Sequence, residues 1–249
     1  MRILNNTGEE ITAQMYDFVD KDGVEVALRP EMTPSLARLA LRRAHSLQLP
    51  LKWFSIPQCW RFEHTVRGRK REHYQWNVDI IGVTSVVAEV ELLHIITSFF
   101  GRVGIGSKDV GIKINSRKVL GSVLASFGVS ADLFAPTCVV IDKLDKIGPE
   151  EVIKQLISLG LTPESASKII KCLSVRSIEA LEELCLEKSV DDASRRESSN
   201  DGNDSDSAEL LESIMELKEV FKLAECYGFQ DWLIFDASVV RYKMESIIS

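Results

Sequence analysis

Two kinds of periodicity divide the chain into a strand-rich first part and a helix-rich remainder. Alternating apolar and polar positions in residues 14–20 and 24–28 predict two strands joined by a tight turn. The apolar run 53–60 and the alternating run 74–81 predict a second, longer antiparallel hairpin. Gly68 lies in the polar loop between them, where it allows the backbone to turn.

Helical spacing dominates elsewhere in the chain. Thr33, followed by Pro34, predicts a helix that Thr33 caps and that has proline at its first position. Apolar spacing predicts further helices at 85–100, from Ser116 onward, and at Pro149–Leu159, Pro163–Leu173, Ile178–Glu187 and Leu210–Tyr227. Short strands are predicted at 110–114 and 232–241. Residues 190–207 are rich in Ser, Asp and Asn and predict a disordered acidic loop.

Composition narrows the functional classes. The chain has 249 residues, 45% of them hydrophobic, which is ample for a core. A net charge of -7 argues against a generally basic nucleic-acid-binding protein, so a nucleic-acid partner would need local basic patches. The five cysteines are odd in number and lack C-x-x-C spacing, which indicates reduced thiols and argues against a zinc site. No apolar run is long enough to span a membrane.

The longer hairpin carries the candidate chemistry. Because side chains alternate along a strand, Arg61 and Glu63 share one face. An arginine fork grips phosphate oxygens in pairs, so Arg61 and Arg69 are candidates for binding a nucleoside triphosphate. Glu63 could orient Arg61, or contact the base or a magnesium-bound water. The alternative is a solvated basic turn on a half-buried hairpin.

The return strand of this hairpin offers a different set of polar groups. Gln75, Asn77 and Asp79 share one of its faces. Amide and carboxylate groups of this kind can hold an ammonium or a ring N–H. The hairpin therefore predicts a site for an anionic ligand with a polar, cationic end.

Two segments resemble signatures of one enzyme family. Arg61 to Glu63, the loop to Arg71, and Gln75 to Gly82 resemble motif 2 of class II aminoacyl-tRNA synthetases in its histidyl form. Leu28 to Thr33 is similar to the LRPE-x-T signature with which histidyl-tRNA synthetases hold their amino acid. The resemblance implies an α+β fold: part of the class II antiparallel sheet, flanked by helices, with a helical insertion. The implied domains are a partial catalytic core at 1–130, the insertion at 131–229, and a returning strand with a divergent tail at 230–249.

The resemblance also implies roles for individual residues. Histidine is activated by ATP to histidyl-adenylate, and the acyl group then passes to tRNA(His). The implied residues are Arg61, Glu63, Arg69 and His73 for ATP, Glu31, Thr33, Gln75 and Asp79 for histidine, and Arg61 and Arg241 for catalysis. Magnesium would arrive with ATP, and no separate protein-bound metal is expected. His73 departs from the aromatic residue of many relatives, although an imidazole can also stack on adenine.

The match breaks off directly after Arg241, where relatives continue as an RGL-x-YYT segment. Motif 1, motif 3 and the anticodon-binding domain are not found, so the chain is interpreted as truncated at both ends. Full-length members are expected to be homodimers, and the lack of motif 1 argues against one here. The branch resembled is bacterial and plant-organellar, which implies cytoplasm or an organelle, although residues 1–10 lack the character of a transit peptide.

Two other functional classes stay open. One is a non-catalytic, synthetase-like protein that senses histidine, as in the regulatory subunit of ATP phosphoribosyltransferase. It would need the amino-acid clamp but not the phosphate-binding arginines. The other is a basic-hairpin nucleic-acid module, whose binding should weaken steeply with ionic strength.

Overall fold

The computed structural model describes residues 13–64, 66–184 and 203–239. They form an α+β structure in two compact units, which contain the described residues 13–88 and 89–239 respectively. Among the described residues, the first unit holds six strands, the helix Thr33–Arg42 and a short 3-10 helix, and the second unit is mainly helical. The domain boundaries expected at 130 and 229 stay a prediction.

The first unit is built on two antiparallel hairpins and one helix. Its elements are β1 (Asp17–Val19), β2 (Glu25–Ala27), α1 (Thr33–Arg42), β3 (Leu51–Ser55), β4 (Gln58–Trp60), β5 (Glu72–Tyr74) and β6 (Asn77–Ile81). β1 pairs with β2, β3 with β6 and β4 with β5, all antiparallel. Both hairpins predicted from the alternating pattern are therefore confirmed. Gly68 has a φ of 88° in the loop of the longer one, a conformation that favours glycine.

One register runs through the longer hairpin. Ser55 faces Asn77 at the end of the β3–β6 ladder, and Gln58 faces Tyr74 at the start of the β4–β5 ladder. In the gap between the two ladders, the Gln75 N–H donates to the Pro57 carbonyl at 3.0 Å. The register is therefore the same on both sides of the gap, and each side chain keeps its face. The two faces differ in burial. One, here called the site face, carries Cys59, Arg61, Gln75, Asn77 and Asp79, all buried or half-buried; the other exposes Phe54, Ile56, Tyr74 and Trp76.

The predicted helix after the LRPE segment is present, but its predicted cap is wrong. α1 begins at Thr33 itself, Met32 holds the cap position, and no side chain caps this helix. Backbone hydrogen bonds form the first turn instead: the Met32 carbonyl accepts from the N–H groups of Ser35 and Leu36 at 2.9 and 3.0 Å. Pro34 lies in the first turn, as expected.

Within the described residues, the second unit has a helix at each predicted position and two that were not predicted, Ala131–Ile141 and the short Leu144–Ile147, whereas the strand predicted at 232–241 covers only Leu233–Phe235. Its elements are α2 (Val87–Arg102, whose first two residues precede the boundary), β7 (Ile112–Ile114), α3 (Arg117–Ser126), α4 (Ala131–Ile141), α5 (Leu144–Ile147), α6 (Pro149–Ser158), α7 (Pro163–Leu173), α8 (Asn203–Cys226) and β8 (Leu233–Phe235). Residues 178–184 are also helical. β7 and β8 pair in parallel, unlike the strands of the first unit.

The acidic segment ends earlier than predicted. α8 begins at Asn203, so residues 203–207 are helical and their assignment to a disordered loop is wrong. Asn and Asp are residue types favoured at helix N-termini, which explains how a polar sequence can start a helix. The other residues of the predicted loop, 190–202, lie outside the described residues.

Two apolar clusters form the core of the second unit. One joins α3, α4, α6 and α7 around Leu124, Leu156 and Ile169, and the other joins α3, α8 and β8 around Ile214 and Phe235. No single helix in the described ranges is long and apolar enough to cross a membrane; only α3 and α4 together, bent by 112°, match a broken span in length and composition. No disulfide joins the four cysteines of the described ranges, Cys59, Cys138, Cys172 and Cys226.

Candidate active site on the motif 2 hairpin

The two signatures noted in the sequence meet at Arg61. The Trp60 N–H donates to the Arg29 carbonyl at 2.9 Å, which aligns the LRPE segment along β4. The Arg61 side chain extends across the same segment, where Nε donates to the Pro30 carbonyl at 3.0 Å. Its Nη2 lies 3.9 Å from Glu31 Oε2. A predicted phosphate-binding arginine and a predicted amino-acid-binding carboxylate thus share one place, with both side chains partly exposed to a ligand.

The loop arginines are organised around Glu63. Arg69 Nη1 lies 3.5 Å from Glu63 Oε2, so Glu63 pairs with Arg69 and not with Arg61. The Arg71 Nε donates to the Glu63 carbonyl at 3.1 Å, and its guanidinium lies 4.1 Å from the centre of the Phe62 ring. Arg69 stays 68% exposed, so its fork is available to an anion.

The return strand presents three polar side chains in a row on the site face. Gln75 Oε1 accepts a hydrogen bond from the buried Cys59 thiol at 3.4 Å. Burial raises the pKa of that thiol, against the opposing charges of Arg29 and Arg61. Further along, burial also raises the pKa of the Asp79 carboxyl.

The remaining predicted residues lie as follows. Thr33 is half-buried at the first position of α1, two residues from Glu31. His73 is half-buried and directly opposite Cys59 in the β4–β5 ladder. Arg241 lies outside the described residues.

An open cleft of about 640 Å³ adjoins the LRPE segment, between the first hairpin and α1. Its lining includes Glu31 together with Arg29, Arg38 and Arg42. The same lining includes Asp17 and Glu25, so the cleft has mixed charge and no strong preference for anions. Among the described residues, no group of three His, Cys, Asp or Glu side chains could hold a metal ion.

Two contributors to the site were not identified from the sequence. The cysteine count indicates Cys59 only as a reduced thiol, although its position two residues before Arg61 on a strand places it on the same face. The sequence places Arg71 only in the basic loop, whereas its guanidinium packs on Phe62 and its Nε donates to the Glu63 carbonyl. The alternation along the strand indicates the face on which Cys59 lies, whereas the contact of Arg71 depends on the loop conformation and has no such signal.

Comparisons with known proteins agree on one family. A family model described as Histidyl-tRNA synthetase matches residues 1–158. The chain is 46% identical, over 96% of its length, to the chloroplastic/mitochondrial histidine–tRNA ligase of Arabidopsis thaliana, of which it spans 44%. The chain thus spans less than half the length of this relative.

Solved structures show the same fold. The histidyl-tRNA synthetase of Nostoc sp. PCC 7120 superposes with a TM-score of 0.76 at 24% identity, over 97% of this chain and 52% of that one. A Bacillus halodurans protein, described as an ATP phosphoribosyltransferase regulatory subunit/histidyl-tRNA synthetase, gives 0.71 at 18% identity over 91% and 53%. The expected α+β class is therefore confirmed. On the extent of the sequence matches, the chain belongs to the histidyl-tRNA synthetase family.

Proposed function

We propose that this chain carries the motif 2 half of a histidine-activating site, in a protein that joins histidine to tRNA(His) at the expense of ATP. The contact between Arg61 and the Pro30–Glu31 segment is the observation that carries the proposal. In this reaction the α-phosphate of ATP must meet the carboxylate of histidine. An arginine fork next to an ammonium-binding carboxylate provides for both partners.

Each residue then has a defined task. Glu31 and Thr33 hold the amino group of histidine, and Gln75 and Asp79 hold its other polar atoms. Arg61 and Arg69 bind the triphosphate, with Glu63 orienting Arg69 through their 3.5 Å contact. His73 stacks on the adenine. Catalysis is then mostly positioning and charge stabilisation, to which Arg61 and Arg241 contribute at the reacting phosphate.

Magnesium enters with the nucleotide, since ATP phosphates are its usual ligands in such sites. The described residues fit this arrangement, because the ion pair between Glu63 and Arg69 leaves Arg69 exposed to phosphate while Glu63 is less than a quarter exposed. Magnesium would neutralise phosphate charge, and the arginines would orient the triphosphate.

Histidine and tRNA(His) are the proposed partners, and the basic loop around Arg67 and Lys70 offers local positive charge for the tRNA. A homodimer is proposed for the complete family architecture only. The plant relative is named as chloroplastic/mitochondrial, which favours an organelle as the compartment of this chain.

Histidine-dependent ATP–pyrophosphate exchange on the purified 249-residue chain tests the proposal. Exchange above background that falls by about 100-fold or more in Arg61→Ala is the supporting result, because the fork acts on the reacting phosphate. Arg102→Ala, an exposed arginine at the end of α2, is the matched control and should keep full exchange. No exchange from a sample that unfolds cooperatively would refute catalysis by this chain.

A histidine-sensing, non-catalytic role is the second candidate. The amino-acid clamp residues of this candidate, Glu31, Thr33, Gln75 and Asp79, all belong to the described part of the first unit. Histidine binding by calorimetry without exchange would favour this alternative.

A further inference from the structure

The site face contains a pair of amide groups whose oxygens differ in their hydrogen bonding. Gln75 Oε1 accepts from the Cys59 thiol at 3.4 Å. Asn77, two residues further along, has its Oδ1 shielded from water and without a hydrogen-bond partner among the described residues. A shielded oxygen without a donor costs about 1–3 kcal/mol, so such groups require a reason.

The thiol can act only as a donor in its contact with Gln75. Cys59 is completely buried, and burial raises the pKa of its thiol, so the S–H proton is present at neutral pH. The opposite atom is a carbonyl oxygen, which accepts. With this oxygen occupied, the other end of the Gln75 amide, its two N–H groups, remains for a ligand.

The row along the return strand therefore presents donors at Gln75 and acceptors beyond it. Gln75 offers N–H donors, while Asn77 and Asp79 offer oxygens that accept. The amide of Asn77 can turn about its last torsion, which has a broad minimum, and so bring its oxygen to an incoming donor. A ligand that fits this row carries an acceptor nitrogen and an N–H donor close together, as a neutral imidazole does.

We propose that Cys59 is a positioning residue for histidine: its thiol fixes the Gln75 amide so that the N–H groups face the ligand, beside the oxygens of Asn77 and Asp79. This inference rests on the proposed function, because histidine is the ligand. Cys59 does not touch the ligand and acts through Gln75. Nothing in this role needs a thiolate or a redox reaction.

The test is histidine binding by isothermal titration calorimetry to the 249-residue chain in two backgrounds. In the wild-type background, Cys59→Val removes the donor while it keeps an apolar side chain of similar size. We expect affinity to fall by about tenfold, the effect of one net hydrogen bond. Cys59→Ser keeps a donor and should restore most of that loss. In the Gln75→Ala background, Cys59→Val should change affinity by less than about twofold, because no amide is left to orient.

The outcomes separate the two levels of the argument. Equal weakening by Cys59→Val in both backgrounds, or no weakening in either, would overturn the positioning role alone. Failure of the wild-type chain to bind histidine would overturn the proposed function and this inference with it. Cys59→Ala, expected to behave as the valine variant, replaces it if the valine variant does not unfold cooperatively.

Discussion

The two units of the molecule bury a carboxylate in opposite ways. In the helical unit, Asp236 is 2% exposed, and its oxygens lie 2.8 Å from Lys113 Nζ and 2.7 Å from Arg176 Nη1. Ser238 donates to the same carboxylate through its hydroxyl at 2.6 Å and its N–H at 3.1 Å. In the hairpin unit, Asp79 is half-buried, and no Lys or Arg of the described ranges forms an ion pair with it.

The pKa values of the two carboxyls shift accordingly. Burial tends to raise the pKa of Asp236, but the bonds from Lys113 and Ser238 and the charge of Arg176 bring it below its usual value. Burial alone raises the pKa of Asp79. A buried charge whose partners belong to the protein stabilises the fold, whereas one without partners is available to a ligand that brings the missing donor. Burial by itself therefore does not distinguish a carboxylate that is available to a ligand from one that stabilises the fold.

The largest expected effect concerns Asp236, the buried carboxylate with cationic partners. Asp236→Asn removes the charge that Lys113 and Arg176 face, and it should destabilise the helical unit by about 2 kcal/mol. The measurement is urea unfolding followed by circular dichroism at the helical band, which reports mainly on this unit. An unchanged urea midpoint would mean that the contacts of Asp236 with Lys113 and Arg176 do not stabilise the helical unit.

The pH dependence gives this prediction a sign. Because the folded pKa of Asp236 is lowered, its stabilisation is present above the unfolded value of 3.8 and is lost as the pH falls through the folded pKa. The difference between wild type and Asp236→Asn should therefore be full at neutral pH and shrink in acid. A difference that grows in acid would contradict the assignment.

Asp79, the half-buried carboxylate without an ion pair among the described residues, should give a smaller change in the free energy of unfolding, of the opposite sign. Asp79→Asn removes a charge that burial disfavours, so the ligand-free hairpin unit should gain up to about 1 kcal/mol at neutral pH. Tryptophan fluorescence reports on this unit, because Trp53, Trp60 and Trp76 lie in it and only Trp232 lies in the other. The same variant should lose about tenfold in histidine affinity, since a charged acceptor is gone.

Here too the pH dependence is specific. The folded pKa of Asp79 is raised, so its cost is absent below 3.8 and develops as the pH rises through the folded pKa. The gain from Asp79→Asn should disappear in acid. Destabilisation at neutral pH would show that a partner within the protein compensates Asp79, and the contrast with Asp236 would fail.

The sequence was informative where spacing is local. Alternation located both hairpins and placed Gln75, Asn77 and Asp79 on one face, because a strand has a period of two. The contact of Arg176 with Asp236 joins residues 60 positions apart, which no local pattern encodes. The sequence does not predict α4, because its run is apolar on most sides and contains Pro136, which normally argues against a helix interior. The family resemblance implies the candidate site residues, but it does not imply that Glu63 pairs with Arg69.

The smallest effect separates the two cations that face Asp236. Arg176 is 58% exposed at its side chain, so its ion pair is partly screened by water although the partner is buried. Arg176→Ala should therefore destabilise the helical unit by only about 0.5–1 kcal/mol, with Lys113 and Ser238 still holding the carboxylate. The loss should diminish as salt is raised from 0.05 to about 0.5 M, because screening weakens an exposed pair. Arg102→Ala is the matched control on the same unit and should leave the midpoint unchanged. A loss as large as that of Asp236→Asn, and independent of salt, would show that Arg176 alone compensates the buried charge.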